Sequence, residues 1–246
     1  MNELILVKDD TIKAMERLIE QKTKIDLVVC DLPYGLTFAE WDKPIDLVKL
    51  WDCYSKLVKE SGAIILFGTQ PFTTDLINAK REWYRYELIW EKEQGTNPLL
   101  TYFQPLRCHE NISVFYQKPP VYNPQKTKGK PFKGYNGTNK LGESYGDVVS
   151  YNRENTGDRH PRSVLYHPKD EGLHPNQKPL SLVKYLVATY SNENDWVLDN
   201  TMGSGTTGVA CMQLNRNFVG IELNDKHFIT AHERINAEKN QLKLKL

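Results

Sequence analysis

The chain has 246 residues, 39% of them hydrophobic, and a formal net charge of +1, enough for one large α/β domain carrying an insertion. A mean hydropathy of −0.57, with no apolar stretch near the ~18 to 20 residues of a membrane span, excludes an integral membrane class. The start MNELILVKDD has no signal-peptide pattern, which predicts a cytoplasmic location. The scattered Cys30, Cys53, Cys108 and Cys211 exclude a disulfide framework or a zinc site.

In chain order, Leu4-Ile5-Leu6-Val7 reads as a strand, and Asp10-Thr11 caps a helix with Met15, Leu18 and Ile19 on one face. Ile25–Cys30 is a buried strand that emerges into Asp31-Leu32-Pro33-Tyr34-Gly35. Leu47, Leu50, Trp51, Tyr54, Leu57 and Val58 recur at helical spacing, and Ser61-Gly62 breaks the pattern before a strand over Ala63–Phe67. Pro71 opens a helix through Ile77, and Tyr86–Trp90 and Ile112–Tyr116 read as strands.

From Lys118 to about Leu173 periodicity fades. Between Gln117 and Lys169 stand ten lysines and arginines against four acids, interleaved with Tyr122, Phe132, Tyr135, Tyr145, Tyr151 and Tyr166. Bases among aromatics suit a surface that grips phosphates and stacks bases; a structured loop covering the core is the alternative. Order returns with His174-Pro175-Asn176-Gln177-Lys178-Pro179 and a helix bearing Leu182, Leu186 and Val187. Asp195–Asp199 is a strand ending in an acid, followed by a glycine-rich turn and a helix from about Thr206 to Leu214. Phe218–Glu222 is another such strand, and an amphipathic helix from Asp225 to about Ala237 closes the series. Alternating strands and helices predict a doubly wound, mostly parallel α/β sheet.

Two segments carry chemistry. Gly203-Ser204-Gly205-Thr206-Thr207-Gly208 matches G-x-G-x-x-G, with Glu222 near the distance of a ribose-binding acid. That pattern alone suggests NAD, but Asp199 at the strand tip would repel a pyrophosphate, which wants bare N–H groups. S-adenosylmethionine has no phosphate. Asp199 can bind its ammonium, turn N–H groups and threonine hydroxyls its carboxylate, and Glu222 its ribose. The second segment, Asp31 to Tyr34, suits a base with an exocyclic amino group. The Asp31 carboxylate and the Leu32 carbonyl can hold its two hydrogens out of the ring plane, Pro33 stiffens the turn, and Tyr34 offers a stacking ring. A base inside a duplex must be flipped out to reach such a pocket. An ordinary acidic turn after a strand is the bland alternative.

DLPYG resembles the D-P-P-Y motif of the DNA amino-methyltransferases, LDNTMGSGTTG their D-P-F-x-G-x-G-T cofactor motif, and HPNQKP their H-P-T-Q-K-P run. With the catalytic motif first and a basic insert between the two, the order is similar to the β group. The resemblance implies a circularly permuted methyltransferase fold with a seven-stranded sheet, one strand antiparallel. It divides the chain into a catalytic part (1–117), a target-recognition insertion (118–173) and a cofactor-binding part (174–246). It implies that Asp31, Leu32, Pro33 and Tyr34 are catalytic. Asp199, Asn200, Gly203, Gly205, Thr206, Thr207 and Glu222 hold S-adenosylmethionine, with Lys178 near its carboxylate and Asp10 (or Asp9) beside its adenine; no metal is needed. Leu32 and Asn200-Thr201-Met202 depart from the family pattern. The implied activity is methylation of adenine N6 in double-stranded DNA, with cytosine N4, or a non-catalytic DNA-binding protein on the same fold, as alternatives. A homodimer and a cognate restriction endonuclease are the implied further partners.

Overall fold

The computed structural model describes residues 2–35, 43–136, 151–170 and 177–243. His174, Pro175 and Asn176, with Lys140, Glu143, Tyr145 and Asp147 of the basic segment, lie outside the described residues. The chain divides into two compact units, Met1–Asn123 with Ser163–Leu246, and Pro124–Arg162.

The first unit begins with β1 (Leu4–Lys8), α1 (Thr11–Glu20), β2 (Ile25–Cys30), α2 (Leu47–Leu57), β3 (Val58–Gly68), α3 (Phe72–Ala79), β4 (Tyr84–Thr96) and β5 (Arg107–Phe115). The second unit holds two antiparallel pairs: β6 (Thr127–Lys128) with β9 (Asp158–Arg159), and β7 (Phe132–Asn136) with β8 (Tyr151–Asn155). Within it the Arg159 guanidinium lies 5.3 Å from the Phe132 ring centroid. The chain then rejoins the first unit as β10 (Val164–Tyr166), α4 (Leu180–Tyr190), β11 (Trp196–Asp199), α5 (Thr206–Gln213), β12 (Asn217–Glu222) and α6 (Asp225–Lys243).

Eight strands form the main sheet in the order β1-β12-β11-β2-β3-β5-β4-β10. All pair in parallel except β5, which runs antiparallel to both neighbours. Seven match the expected count; the eighth, β10, is a short edge strand beside β4. It lies inside the span expected as the insertion, so the compact unit is narrower than 118–173. The flanks belong to the sheet unit because their backbone groups bond there: Lys118 N donates to Glu60 O at 2.9 Å and Asn123 N to Thr189 O at 2.7 Å.

Helices cover both faces. Leu182, Leu186, Val209, Ala210, Ala231 and Ile235 of α4, α5 and α6 pack on one face, against Leu27, Val29, Ile65, Phe67 and Val197. On the other, Ala14, Met15, Leu50, Tyr54, Leu57 and Leu76 of α1, α2 and α3 pack against Val28, Cys30, Ile64, Leu66, Leu198 and Val219. Successive strand residues feed opposite faces, as the pleat requires. The connection after β11 covers one face and that after β2 the other, so the centre of the sheet is a switch point, where α/β sheets bind ligands.

The caps follow the sequence. Asp10 Oδ1 accepts from Ile12 N and Lys13 N, both at 3.1 Å, satisfying N–H groups that the first turn of α1 leaves open. Asp46 does the same for α2, from Val48 N and Lys49 N. Ser61-Gly62, expected as a break, is absorbed within β3: the β2–β3 register shifts between the Ile25↔Val58 and Leu27↔Ala63 pairs. A Cβ on Gly62 would sit 2.9 Å from Asp26 O and 3.0 Å from Lys59 O, and backbone cannot move aside cheaply. Gly62→Ala is expected to lower stability by about 1 to 3 kcal/mol, read as a shift of the urea midpoint with unchanged slope.

Candidate active site

Parallel pairing of β11 with β2, Leu198 opposite Val28, brings Asp31 and Asp199 to adjoining strand ends. One cavity of about 1470 Å³ opens there, lined among others by Asp10, Asp31, Leu32, Pro33, Tyr34, Lys178, Asp199, Gly203, Thr206 and Glu222. Asn200 and Thr207 line it as well, as does Asp9. A sequence span of more than 200 residues thus converges on one space. Typical single-ligand pockets are about 300 to 1,000 Å³, so this one exceeds what one small ligand needs.

At one end, Asp31 is enclosed by charge. Tyr34 Oη donates to Asp31 Oδ1 at 2.6 Å, and the Lys178 ammonium donates to Asp31 Oδ2. Lys178 also pairs with Glu110 Oε2 at 3.2 Å, and Glu110 Oε1 takes Lys92 Nζ at 2.5 Å. Two carboxylates and two ammonium groups alternate, three of them nearly buried. Burial pushes the Asp31 carboxyl up, Lys178 pulls it back in part, and Glu110 adds to the rise. Burial also opposes charge on Glu110, but Lys178 and Lys92 together hold its pKa low. Burial would lower Lys178, yet Asp31 and Glu110 more than offset it and its pKa rises. The Tyr34 ring tilts against Phe72 with centroids 5.1 Å apart, and the Lys178 ammonium lies 5.2 Å from the Phe67 ring centroid.

At the other end stands the glycine-rich turn. Gly203 and Gly205 adopt positive φ of 52° and 82°, a backbone shape that suits glycine; at Gly205 a Cβ would also lie 2.9 Å from that of Ala231. Glu222 accepts from Gly203 N through Oε2 at 2.9 Å and from Asn224 N through Oε1 at 2.8 Å. Asp199 is buried, with Thr207 Oγ1 donating to Oδ2 at 2.6 Å and Thr201 N to Oδ1 at 3.2 Å. Burial raises its pKa to about 7 despite those bonds. The buried Thr206 hydroxyl has no hydrogen-bond partner among the described residues, though it lines the cavity.

Two of the expected residues line the cavity and also have protein partners that the sequence did not indicate. Lys178, expected near the carboxylate of a cofactor, pairs with Asp31 and Glu110. The Asn200 side chain is used inside the fold: its Oδ1 accepts from Tyr54 Oη at 2.6 Å and its Nδ2 donates to Thr11 Oγ1 at 2.9 Å.

Glu110, Lys92 and Thr201 escaped the sequence reading. Glu110 shares the inward face of β5 with Ile112 and Val114, and Lys92 continues the face of Leu88 and Trp90 on β4. Extending the two-residue alternation past the apolar run would have found both. Thr201 Oγ1 donates to Asp31 O at 2.9 Å and lies 3.0 Å from Cys30 Sγ; nothing in its sequence neighbourhood marks that contact.

A family model described as DNA methylase (N6_N4_Mtase) matches residues 25–233. The chain belongs to this DNA methylase family. It is 26% identical over 251 residues to the type II methyltransferase M.HpaI of Haemophilus parainfluenzae, covering 96% of this chain and 75% of that protein. It is likewise 26% identical over 262 residues to type II methyltransferase M2.MboI of Moraxella bovis, covering 92% and 87%. Among solved structures, the fold resembles that of the M1.HpyAVI–SAM complex, with TM-score 0.65 and 23% identity over 94% of this chain and 99% of that one. It also resembles the cytosine-N4-specific PvuII DNA methyltransferase, with TM-score 0.65 and 13% identity over 98% and 93%.

The charge cluster makes a stability prediction. Lys178→Met would leave Asp31 and Glu110 facing each other with Lys92 alone to offset them. Breaking a buried ion pair from one side costs about 3 to 5 kcal/mol, and Asp31 is 32% exposed at its side chain, so a loss near the lower figure is expected. Denaturant unfolding of the variant checks it, and the loss should shrink as the pH falls and Asp31 is protonated.

Proposed function

We propose that this chain transfers a methyl group from S-adenosylmethionine to the exocyclic N6 of an adenine flipped out of double-stranded DNA. The observation that carries the reading is the single cavity in which the Asp31 carboxylate and the glycine-rich turn face a shared space. The turn end fits the cofactor: Asp199 has no cation of its own among the described residues, the Thr206 hydroxyl is unpartnered, and Glu222 keeps further acceptor capacity beside the turn. Asp199 would take an ammonium, Thr206 and the turn a carboxylate, Glu222 the ribose hydroxyls, and Asp10 the adenine edge. When bound, the cofactor supplies a methyl group on a sulfonium sulfur, an electrophile with a neutral leaving group.

The chain's own residues supply position and hydrogen bonding. Asp31 would accept one N6 hydrogen and the Leu32 carbonyl the other, drawing the nitrogen lone pair out of conjugation with the ring. Thr201 Oγ1 donates to the Asp31 main-chain carbonyl at 2.9 Å, which would help to fix the backbone that carries both acceptors. Lys178 and Tyr34 keep the Asp31 side chain oriented, and the Tyr34 ring would stack on the base. An aspartate, rather than a serine, at the head of the motif supports adenine over cytosine. The Pro124–Arg162 unit, with exposed Lys126, Lys128 and Lys130, would read the target sequence. A homodimer and a partner endonuclease belong to the same reading.

Labelled S-adenosylmethionine incubated with genomic DNA, followed by mass analysis of the released nucleosides, tests it. N6-methyladenine is the expected product; N4-methylcytosine would transfer the reading to cytosine, and no label in DNA would overturn it. Asp31→Ala should cut transfer by at least about 100-fold while cofactor binding persists. Asp199→Asn should weaken cofactor binding about tenfold or more, since it removes a buried charged acceptor. Because the Asp199 pKa is raised to about 7, an ammonium ligand binds its ionised form. Affinity should therefore rise as pH increases through about 7, and binding below that pH should release a proton, read as a buffer-dependent enthalpy in calorimetry.

A further inference from the structure

The hairpin joining β4 to β5 ends in Asn97-Pro98-Leu99-Leu100-Thr101-Tyr102-Phe103-Gln104-Pro105-Leu106, a run without a charged residue in a chain that is 26% charged. Tyr102, Leu99 and Phe103 are 92%, 88% and 88% exposed, the three most exposed large hydrophobic side chains among the described residues. Leu100 and Leu106 are exposed as well. Five exposed apolar side chains within one ten-residue segment are unusual for solvent-facing surface and mark a candidate interaction site.

The tip has an organised backbone. Asn97 takes a left-handed conformation with φ 67° ahead of a helical turn over Pro98–Leu100. Leu100 N donates to Asn97 O at 3.1 Å, Phe103 N to Leu100 O at 2.9 Å, and Gln104 N to Leu100 O at 3.0 Å. At the neck, Thr96 pairs with Arg107, and Thr96 Oγ1 donates to Arg107 O at 3.1 Å. The aromatic side chains are thus presented by a preformed turn, which reduces the ordering cost of binding.

Position identifies the occupant. Thr96, Asn97 and Arg107 line the cavity that contains Asp31, so the tip projects from the rim of the space that would receive a flipped base. Flipping leaves a gap in the duplex, walled by the apolar faces of the neighbouring bases. Proteins that unstack DNA insert apolar side chains between base steps. A charge-free aromatic tip suits that gap and not the phosphate backbone, which calls for lysine and arginine.

We propose that the Asn97–Leu106 tip enters the base stack of the DNA substrate, with Tyr102 and Phe103 filling the space vacated by the target nucleotide. The proposal rests on the methyltransferase reading above. To test it, genomic DNA methylated by the wild-type protein is first sequenced with base-resolved modification detection to define the target. Two duplexes carrying that target are then compared, one fully paired and one with the target base opposite an abasic site, where unstacking is already cheap. The exposed double variant Tyr102→Ser/Phe103→Ser is expected to lose about tenfold or more in kcat/KM on the paired duplex, and to recover most of that loss on the abasic duplex.

An equal loss on both duplexes, or no loss on either, overturns the insertion. So does sedimentation showing that the variant converts a wild-type dimer to monomers while methylation is unchanged, which would assign the tip to a contact with a second copy. Wild-type protein that labels no DNA overturns the methyltransferase reading and the insertion together; wild-type activity with an unaffected variant overturns the insertion alone.

Discussion

The site depends on the parallel pairing of β11 with β2, Val197 opposite Leu27 and Leu198 opposite Val28. These strands are separated by most of the chain, yet they form the centre of the sheet, and their carboxyl ends deliver Asp199 and Asp31 to one cavity. Beyond the last paired residues the seam continues through side chains. Thr201 joins Cys30 to the Asp31 carbonyl, and Asn200 ties Tyr54 of α2 to Thr11 of α1. Asn200 and Thr201 are among the residues that depart from the family pattern. Where the family motif has Pro-Phe, this chain has an amide that ties the turn to α1 and α2 and a hydroxyl that ties it to the Asp31 loop. The departure therefore exchanges an aromatic wall for a hydrogen-bonded one.

The cluster around Asp31 follows from the same geometry. Bringing a carboxylate to the centre of a sheet exacts a desolvation cost, and Lys178, ahead of α4, answers it with charge, backed by Glu110 of β5 and Lys92 of β4. Lys178 lies between two acids, whereas Glu110 lies between two bases. That asymmetry explains why two carboxylates sharing one ammonium shift in opposite directions. Glu110 has Lys92 as a second partner, and Asp31 has Tyr34, a neutral donor. Asp31 is consequently the carboxylate more open to exchanging its partners.

Much of this was legible in the sequence where local chemistry decides. β2 and α2 begin where their apolar patterns place them and α1 where the Asp10 cap places it, and the acids at the ends of β2, β11 and β12 stand out because each follows a buried run. Long-range pairing was not legible. β10 is three residues long and owes its strand character to the edge of β4, and although the alternation of β4 and β5 turns Lys92 and Glu110 inward, only the assembled fold brings them to Lys178 and Asp31. The Pro124–Arg162 unit has short pairs and little apolar periodicity, so composition flagged it but could not draw its boundary. Lys178 shows the same limit: its motif placed it near the site, and only the fold says which anions it meets.

Asp31 and Asp199 are both raised by burial, but their surroundings differ in a way that bears on what each end of the cavity receives. Asp31 already has an ammonium beside it and offers acceptor capacity to neutral N–H donors, the chemistry of an exocyclic amino group. Asp199 has a hydroxyl and a backbone N–H, with no ion pair among the described residues. Burial lifts Asp199 to about 7 despite those donors, so it gains most from a ligand that brings a positive charge. A pyrophosphate would deepen its penalty, whereas an ammonium would remove it. The glycine-rich turn thus distinguishes between two cofactors that share its spacing, because the acid at its strand tip is left without a cation of its own.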